Sequence, residues 1–319
     1  MPPLPEESLP PDDDLAAQAA ETIARGSQSF ATAARLFDPV TREGALLLYA
    51  WCRHCDDVVD DQHLGFNRDV AGPGTPEERI AALERLTRRA FAGEALEDPN
   101  FRALQRVARR HGLPLSLALA HLDGFRMDVE GRRYRTIEDT LDYCHHVAGV
   151  VGTMMSMVMG AREAATLQRA ADLGLAFQLT NIARDIVPDA LAGRLYLPAD
   201  WLAEVGLDPE GVALPENRGK VAVLAARLVA LAEPYYASAR IGIDALPRRS
   251  AWAVATAHGV YRAIGTEVVR RGPRAWDTRV STSRAEKLSQ VLRGAAVAAR
   301  RRGDDAPRPS GLWCHDQPR

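Results

Sequence analysis

The chain has 319 residues, with 40 Lys+Arg against 42 Asp+Glu for a formal net charge of −2, and 46% of its residues are hydrophobic. That balance excludes a disordered chain, which lacks the apolar content for a core, and a nucleic-acid binder working by bulk positive charge. The uncharged apolar stretch from Val147 to Ala161 falls short of the roughly 20 residues a membrane span takes, and the acidic, proline-rich opening is no secretion signal, so a soluble, cytoplasmic protein is expected.

Residues 1–11 read as a disordered lead. Asp12 to Asp14 place negative charge at the start of a helix running towards Arg25, where it suits the dipole. Asp38-Pro39 gives an N-cap followed by an N1 proline and opens a long helix to about Asp61. Gly65, Gly72, Pro73 and Gly74 mark a loop, closed by the capping box Thr75-Pro76-Glu77-Glu78. Asp98-Pro99 starts the next helix and Gly112 ends it; another runs from about Pro114 towards Asp128. Thr136 caps a helix that continues through the Val147–Met159 run to Gly160, apolar all round and therefore expected in the core. Further helices are predicted from Glu163 to about Asp189, Asn217 to Asp244, Ser250 to Arg271, and Arg284 to Arg302 behind a second capping box at Ser283 and Glu286. No run of alternating β-branched residues argues for a strand. The expected fold is all-α, one helical domain over 12–302 enclosing a central cavity, with 303–319 as a flexible tail.

Two segments carry chemistry. In Tyr49 to Asp61, the helical repeat sets Asp56 over Asp60 and Asp57 over Asp61, with Arg53 and Tyr49 continuing the Asp56 line. Like charges at this spacing cost a few tenths of a kcal/mol per pair, so the stripe needs compensation or a solvated face. The second segment, Phe177 to Asp189, puts Gln178, Asn181, Asp185 and Asp189 on one face of an otherwise apolar helix. Carboxylates and carboxamides are hard oxygen ligands that suit Mg²⁺ or Mn²⁺. Two such helices facing each other can hold metal ions against a diphosphate, with Arg53 and Arg184 as further phosphate donors. Pro188 removes a helix hydrogen bond and is expected to kink the axis, which ranks Asp189 below Asp185.

Together these stripes resemble the squalene/phytoene synthase family, a likeness running from about Ala19 to Trp313. The matching text includes Gly26-Ser27-Gln28-Ser29-Phe30, Leu48 to Arg53, Cys55 to Asp61, Tyr143 to Gly152, Gln178 to Asp185, and Gly193-Arg194-Leu195-Tyr196-Leu197-Pro198. The resemblance implies an isoprenoid-synthase-like helical bundle, closest to bacterial phytoene synthases, that joins two geranylgeranyl diphosphates head to head with Mg²⁺ or Mn²⁺. It implies Asp56, Asp60, Asn181, Asp185 and Asp189 as metal ligands. Substrate contacts fall on Ser27, Gln28, Ser29, Tyr49, Arg53, Gln178, Asn181, Arg184 and Tyr261, with Asp128 and Arg279 as weaker candidates. It further implies a catalytic role for Asp56, Asp60, Asp185, Arg53 and Tyr49. A lipophilic product goes with peripheral contact to the inner face of a membrane, and no nucleic-acid partner is implied. Two other readings stand beside it: squalene or dehydrosqualene synthesis from farnesyl diphosphate, and a non-catalytic helical protein binding metal or a basic partner.

Other features have plainer expectations. The C-x-x-C of Cys52 and Cys55 lies within a helix and reads as two packed thiols. His145-His146 reads as a hydrogen-bonded pair without an acidic partner at ligand spacing. Trp51, Trp201 and Trp252 read as packing residues, and Arg300 to Arg302 as a solvated helix end.

Overall fold

The computed structural model describes residues 15–20, 33–59, 74–300 and 306–315, and the backbone of 62–63 and 66–67. Asp38 Oδ1 accepts from the amides of Val40 and Thr41, both at 3.1 Å, and so opens α1 (Pro39–Val59) at the predicted N-cap. At its other end Arg79 donates to the Val59 carbonyl at 3.3 Å. A two-residue antiparallel pairing follows, β1 (Gln62–His63) with β2 (Phe66–Asn67), in the stretch expected to be loop. Both ends of the Thr75 capping box are made, fixing the start of α2 (Pro76–Ala92). Asp98 caps α3 (Pro99–His111), and α4 spans Leu115–Val129.

The segment predicted as one helix from Thr136 to Gly160 is helical from Ile137 to Val158, with a π turn inside it. It comprises α5 (Ile137–Cys144), a π-helical turn at His145–Gly149, and α6 (Val150–Val158). The π turn leaves Gly149 and Gly152 facing the long helix α7 (Ala164–Leu191). A Cβ on Gly152 would stand 2.4 Å from the Ala170 carbonyl oxygen, and one on Gly174 would stand 2.3 Å from that of Ala148. The two helices therefore touch backbone to backbone. After the short α8 (Ala199–Glu204), which the sequence pattern did not announce, come α9 (Arg218–Ile243), α10 (Arg248–Arg271) and α11 (Arg284–Ala299).

Long and apolar enough to cross a bilayer by composition, α9 nevertheless packs along α7, burying Leu224, Leu228, Tyr235 and Tyr236. Each such large apolar side chain contributes roughly 1.5–3 kcal/mol. The core falls into two clusters. One joins α1–α4 and α6 around Trp51, Phe101 and Leu104; the other joins α5, α7 and α9 around Leu179, Leu228 and Tyr235. The cavity lies where they meet.

Part of the expected flexible tail is docked. In residues 306–315, Arg308 makes paired bonds to the wholly buried Asp172 at 2.8 and 2.9 Å, Leu312 is buried, and the Trp313 amide donates to Tyr235 Oη at 3.2 Å. A carboxylate buried on α7 demands a cation, and the tail supplies it.

Candidate active site

A cavity of about 380 Å³ is walled by side chains from α1, the π turn, α6, α7 and α10. Val147, Val151, Met155, Leu173, Phe177 and Val254 make it chiefly apolar. Tyr49 and Cys52 of α1 line it, as do Gln178 and Asn181 of α7 and Tyr261 of α10. Asp56 lies one turn beyond Cys52 on α1, and Asp185 one turn beyond Asn181 on α7. The two acidic stripes thus continue the very faces that border the hollow.

On α1 the carboxylates are compensated. Arg53 bridges Asp56 and Asp57, with both contacts at 2.9 Å. Asp57, on the shifted line, is buried, so its part is to hold Arg53 in place. Cys52 and Cys55 are free thiols, and burial pushes Cys52 up to about 12 and Cys55 well above its usual range, which keeps both protonated and inert.

On α7, Asn181 Nδ2 donates to Gln178 Oε1 at 3.3 Å, while its carbonyl oxygen is buried without a hydrogen-bond partner among the described residues. A buried acceptor left unpaired costs about 1–3 kcal/mol, and an oxygen-seeking cation would remove that cost. The Arg184 guanidinium lies against the neighbouring Asp185, with Nε 2.9 Å from Oδ1, and Arg279 approaches Asp185 at 3.4 Å. Tyr261 stacks on Phe177 at 4.1 Å and shares the field of Arg184, Arg279 and Asp185. Burial, then the Asp185 charge, pushes the Asp189 carboxyl up to about 7; Asp128 adds to the rise, while Arg194 and Arg184 oppose it. Helix α7 runs on through Pro188 to Leu191, so the proline does not remove Asp189 from the electrostatic reach of Asp185. Unpaired oxygen and crowded carboxylates together are a donor set fitted to a hard divalent cation.

Tyr143 and Tyr196 both donate to Asp128 at 3.0 Å, and their rings stack at 4.6 Å. The charge this network holds at Asp128 reaches Asp189 and helps push its carboxyl up. The sequence pattern singled out Asp128 only weakly, and the tyrosines only as members of matching segments, because three residues from α4, α5 and the loop before α8 share no periodicity. Ser27, Gln28, Ser29 and Asp60 lie outside the described residues. All other predicted site residues either line the cavity or belong to the charged groups at the ends of its two stripes.

The squalene/phytoene synthase profile matches residues 23–286. The chain is 56% identical over 297 residues to a 15-cis-phytoene synthase of Pantoea ananas, covering 92% of this chain and 96% of that one. It is 53% identical to a phytoene synthase of Pseudescherichia vulneris, with 96% and 98% covered. Among solved structures, a dehydrosqualene synthase superposes with a TM-score of 0.79 at 24% identity, covering 89% of this chain and 96% of that one, a likeness of fold.

Proposed function

Since this chain belongs to the squalene/phytoene synthase family, we propose that it is a phytoene synthase joining two geranylgeranyl diphosphates head to head, through cyclopropyl prephytoene diphosphate, to phytoene with release of diphosphate. The observation that carries the reading is the apolar cavity lined by Tyr49 and Cys52 of α1 and by Gln178 and Asn181 of α7, two helices that each carry an acidic stripe one turn further on, in a chain more than half identical to phytoene synthases. Asp56 of α1 and Asn181, Asp185 and Asp189 of α7 would hold Mg²⁺ or Mn²⁺, with Asp60 completing the first stripe. Bound there, the ions would neutralise the diphosphate and make it a better leaving group. Arg53, Arg184 and Arg279 offer direct donors to phosphate oxygens once substrate competes for them with Asp56 and Asp185. Phe177, Val151 and Met155 keep water from the allylic cation, and Tyr261, stacked on Phe177, presents an aromatic edge of the same wall. A C40 hydrocarbon partitions into lipid, so release at the inner face of a membrane goes with this reading.

The test is product mass from purified protein with Mg²⁺ and each labelled prenyl diphosphate. A C40 product from geranylgeranyl diphosphate supports the proposal; a C30 product from farnesyl diphosphate alone overturns the substrate assignment. Asp56→Asn and Asp185→Asn are each expected to abolish turnover with unchanged helical circular dichroism, and near wild-type rates in both would overturn the metal assignment.

A further inference from the structure

The π turn and the docked tail bring together a second group of ligand-type side chains that the proposed reaction does not use. His146 does have an acidic partner: Asp142, one turn earlier on α5, contrary to the sequence expectation. Asp142 Oδ1 stands 3.7 Å from His146 Nδ1 and 3.3 Å from His315 Nδ1, and one ligand atom from each of the three residues falls within 4.8 Å of the others. None of them lines the cavity.

The surroundings prepare each residue for coordination. His146 Nδ1 donates to the Asp142 main-chain carbonyl at 2.8 Å. A carbonyl only accepts, so the neutral ring carries its proton on Nδ1, whose 3.7 Å approach to Asp142 Oδ1 sets the ring beside the carboxylate, and keeps its lone pair on Nε2, the nitrogen left to bind a metal. Arg132 Nη1 holds Asp142 Oδ2 at 2.9 Å, orienting the carboxylate with Oδ1 towards both imidazoles. His315 stacks on His145 at 4.6 Å with the rings nearly parallel, which fixes the plane of an otherwise half-exposed side chain. Two imidazoles and one carboxylate suit a zinc-class cation better than Mg²⁺. Bond lengths near 2.1 Å would bring the ligand atoms to about 3.4 Å apart, a closure the tail can supply by moving His315.

We propose that Asp142, His146 and His315 form a zinc-class site, separate from the acidic stripes, that clamps the C-terminal tail onto α5 and the π turn. The clamp fastens the same tail whose Arg308 neutralises Asp172 on α7.

The test is Zn²⁺ titration by calorimetry on the full-length protein in excess Mg²⁺, which saturates the carboxylate stripes, with Co²⁺ absorption as a second readout. One equivalent of Zn²⁺ is expected to bind, with a tetrahedral-type Co²⁺ spectrum and a rise in Tm. His315→Ala, a change at a half-exposed position that leaves folding intact, should weaken binding by about tenfold or more and abolish the Tm rise. Absence of a Zn²⁺ equivalent under these conditions, or equal binding by His315→Ala, overturns the proposal and leaves Asp142 and His315 as a plain ion pair.

Discussion

Gly174→Ala probes whether the contact between the π turn and α7 sets the shape of the site. The added Cβ would lie 2.3 Å from the Ala148 oxygen, 2.6 Å from its carbonyl carbon and 2.8 Å from Gly149 Cα, all main-chain atoms. Reaching an ordinary contact of 3.4 Å requires the helices to part by about an ångström, since no side-chain rotation relieves a clash with backbone. Overpacking of a rigid core typically costs about 1–3 kcal/mol, and main-chain atoms on both sides put this case near 3. For a chain of this size that is a fall in Tm of roughly 4–5 °C. Phe177 and Gln178 sit one turn along α7 and line the cavity, so the displacement carries the α7 stripe with it. A misplacement of about 1 Å is worth ~10²-fold in rate. The assays are a circular dichroism melt and steady-state diphosphate release. Gly219→Ala, where an added Cβ meets nothing within 4 Å, is the control and should raise Tm slightly. A Gly174→Ala protein with wild-type Tm and turnover would refute the packing argument.

Arg308→Gln leaves the wholly buried Asp172 with the Ser238 hydroxyl at 2.6 Å as its one remaining side-chain partner among the described residues, and should destabilise the fold by about 3 kcal/mol in a denaturant titration, with Asp172→Asn recovering part of the loss in the double variant. A loss below about 0.5 kcal/mol would contradict a structural role for the docked tail. Asp189, raised from 3.8 to about 7, binds a proton in the folded metal-free protein that the unfolded chain has already lost. The stability it adds is therefore fully present below about pH 4 and is lost as pH rises towards 7. Mg²⁺ should reverse the balance: calorimetry near pH 6 in buffers of different ionisation enthalpy is expected to show a proton released per metal-binding event, and buffer-independent heats would count against Asp189 as a ligand.

Helix boundaries were legible wherever a cap wrote them into the chain. Asp38-Pro39, Thr75 with Glu78, Asp98-Pro99, and Ser283 with Glu286 each satisfy amide groups within three or four residues, so local spacing suffices to find them. The π turn at His145–Gly149 was not legible, because its cause is tertiary: Gly149 meets the Leu175 side chain and Gly152 the Ala170 main chain, both on α7 and on a separate stretch of the chain. The same holds for the tail. Leu312 and Trp313 were an apolar signal in a polar stretch, but only the position of Asp172 shows why they dock. In the site, i to i+4 periodicity picked out Asp56, Asn181 and Asp185, whereas the Asp128–Tyr143–Tyr196 network joins three segments and lies beyond any periodic reading.

Anomalous diffraction from crystals soaked with Mn²⁺ and a non-hydrolysable prenyl diphosphate analogue tests the central claim most directly. The account predicts Mn²⁺ peaks between the Asp56 turn of α1 and the Asn181, Asp185 and Asp189 face of α7, bridged by the analogue's phosphates, with its hydrocarbon in the hollow beside Phe177. Ordered analogue with no metal between those helices, or Mn²⁺ only on the outer surface, would contradict it.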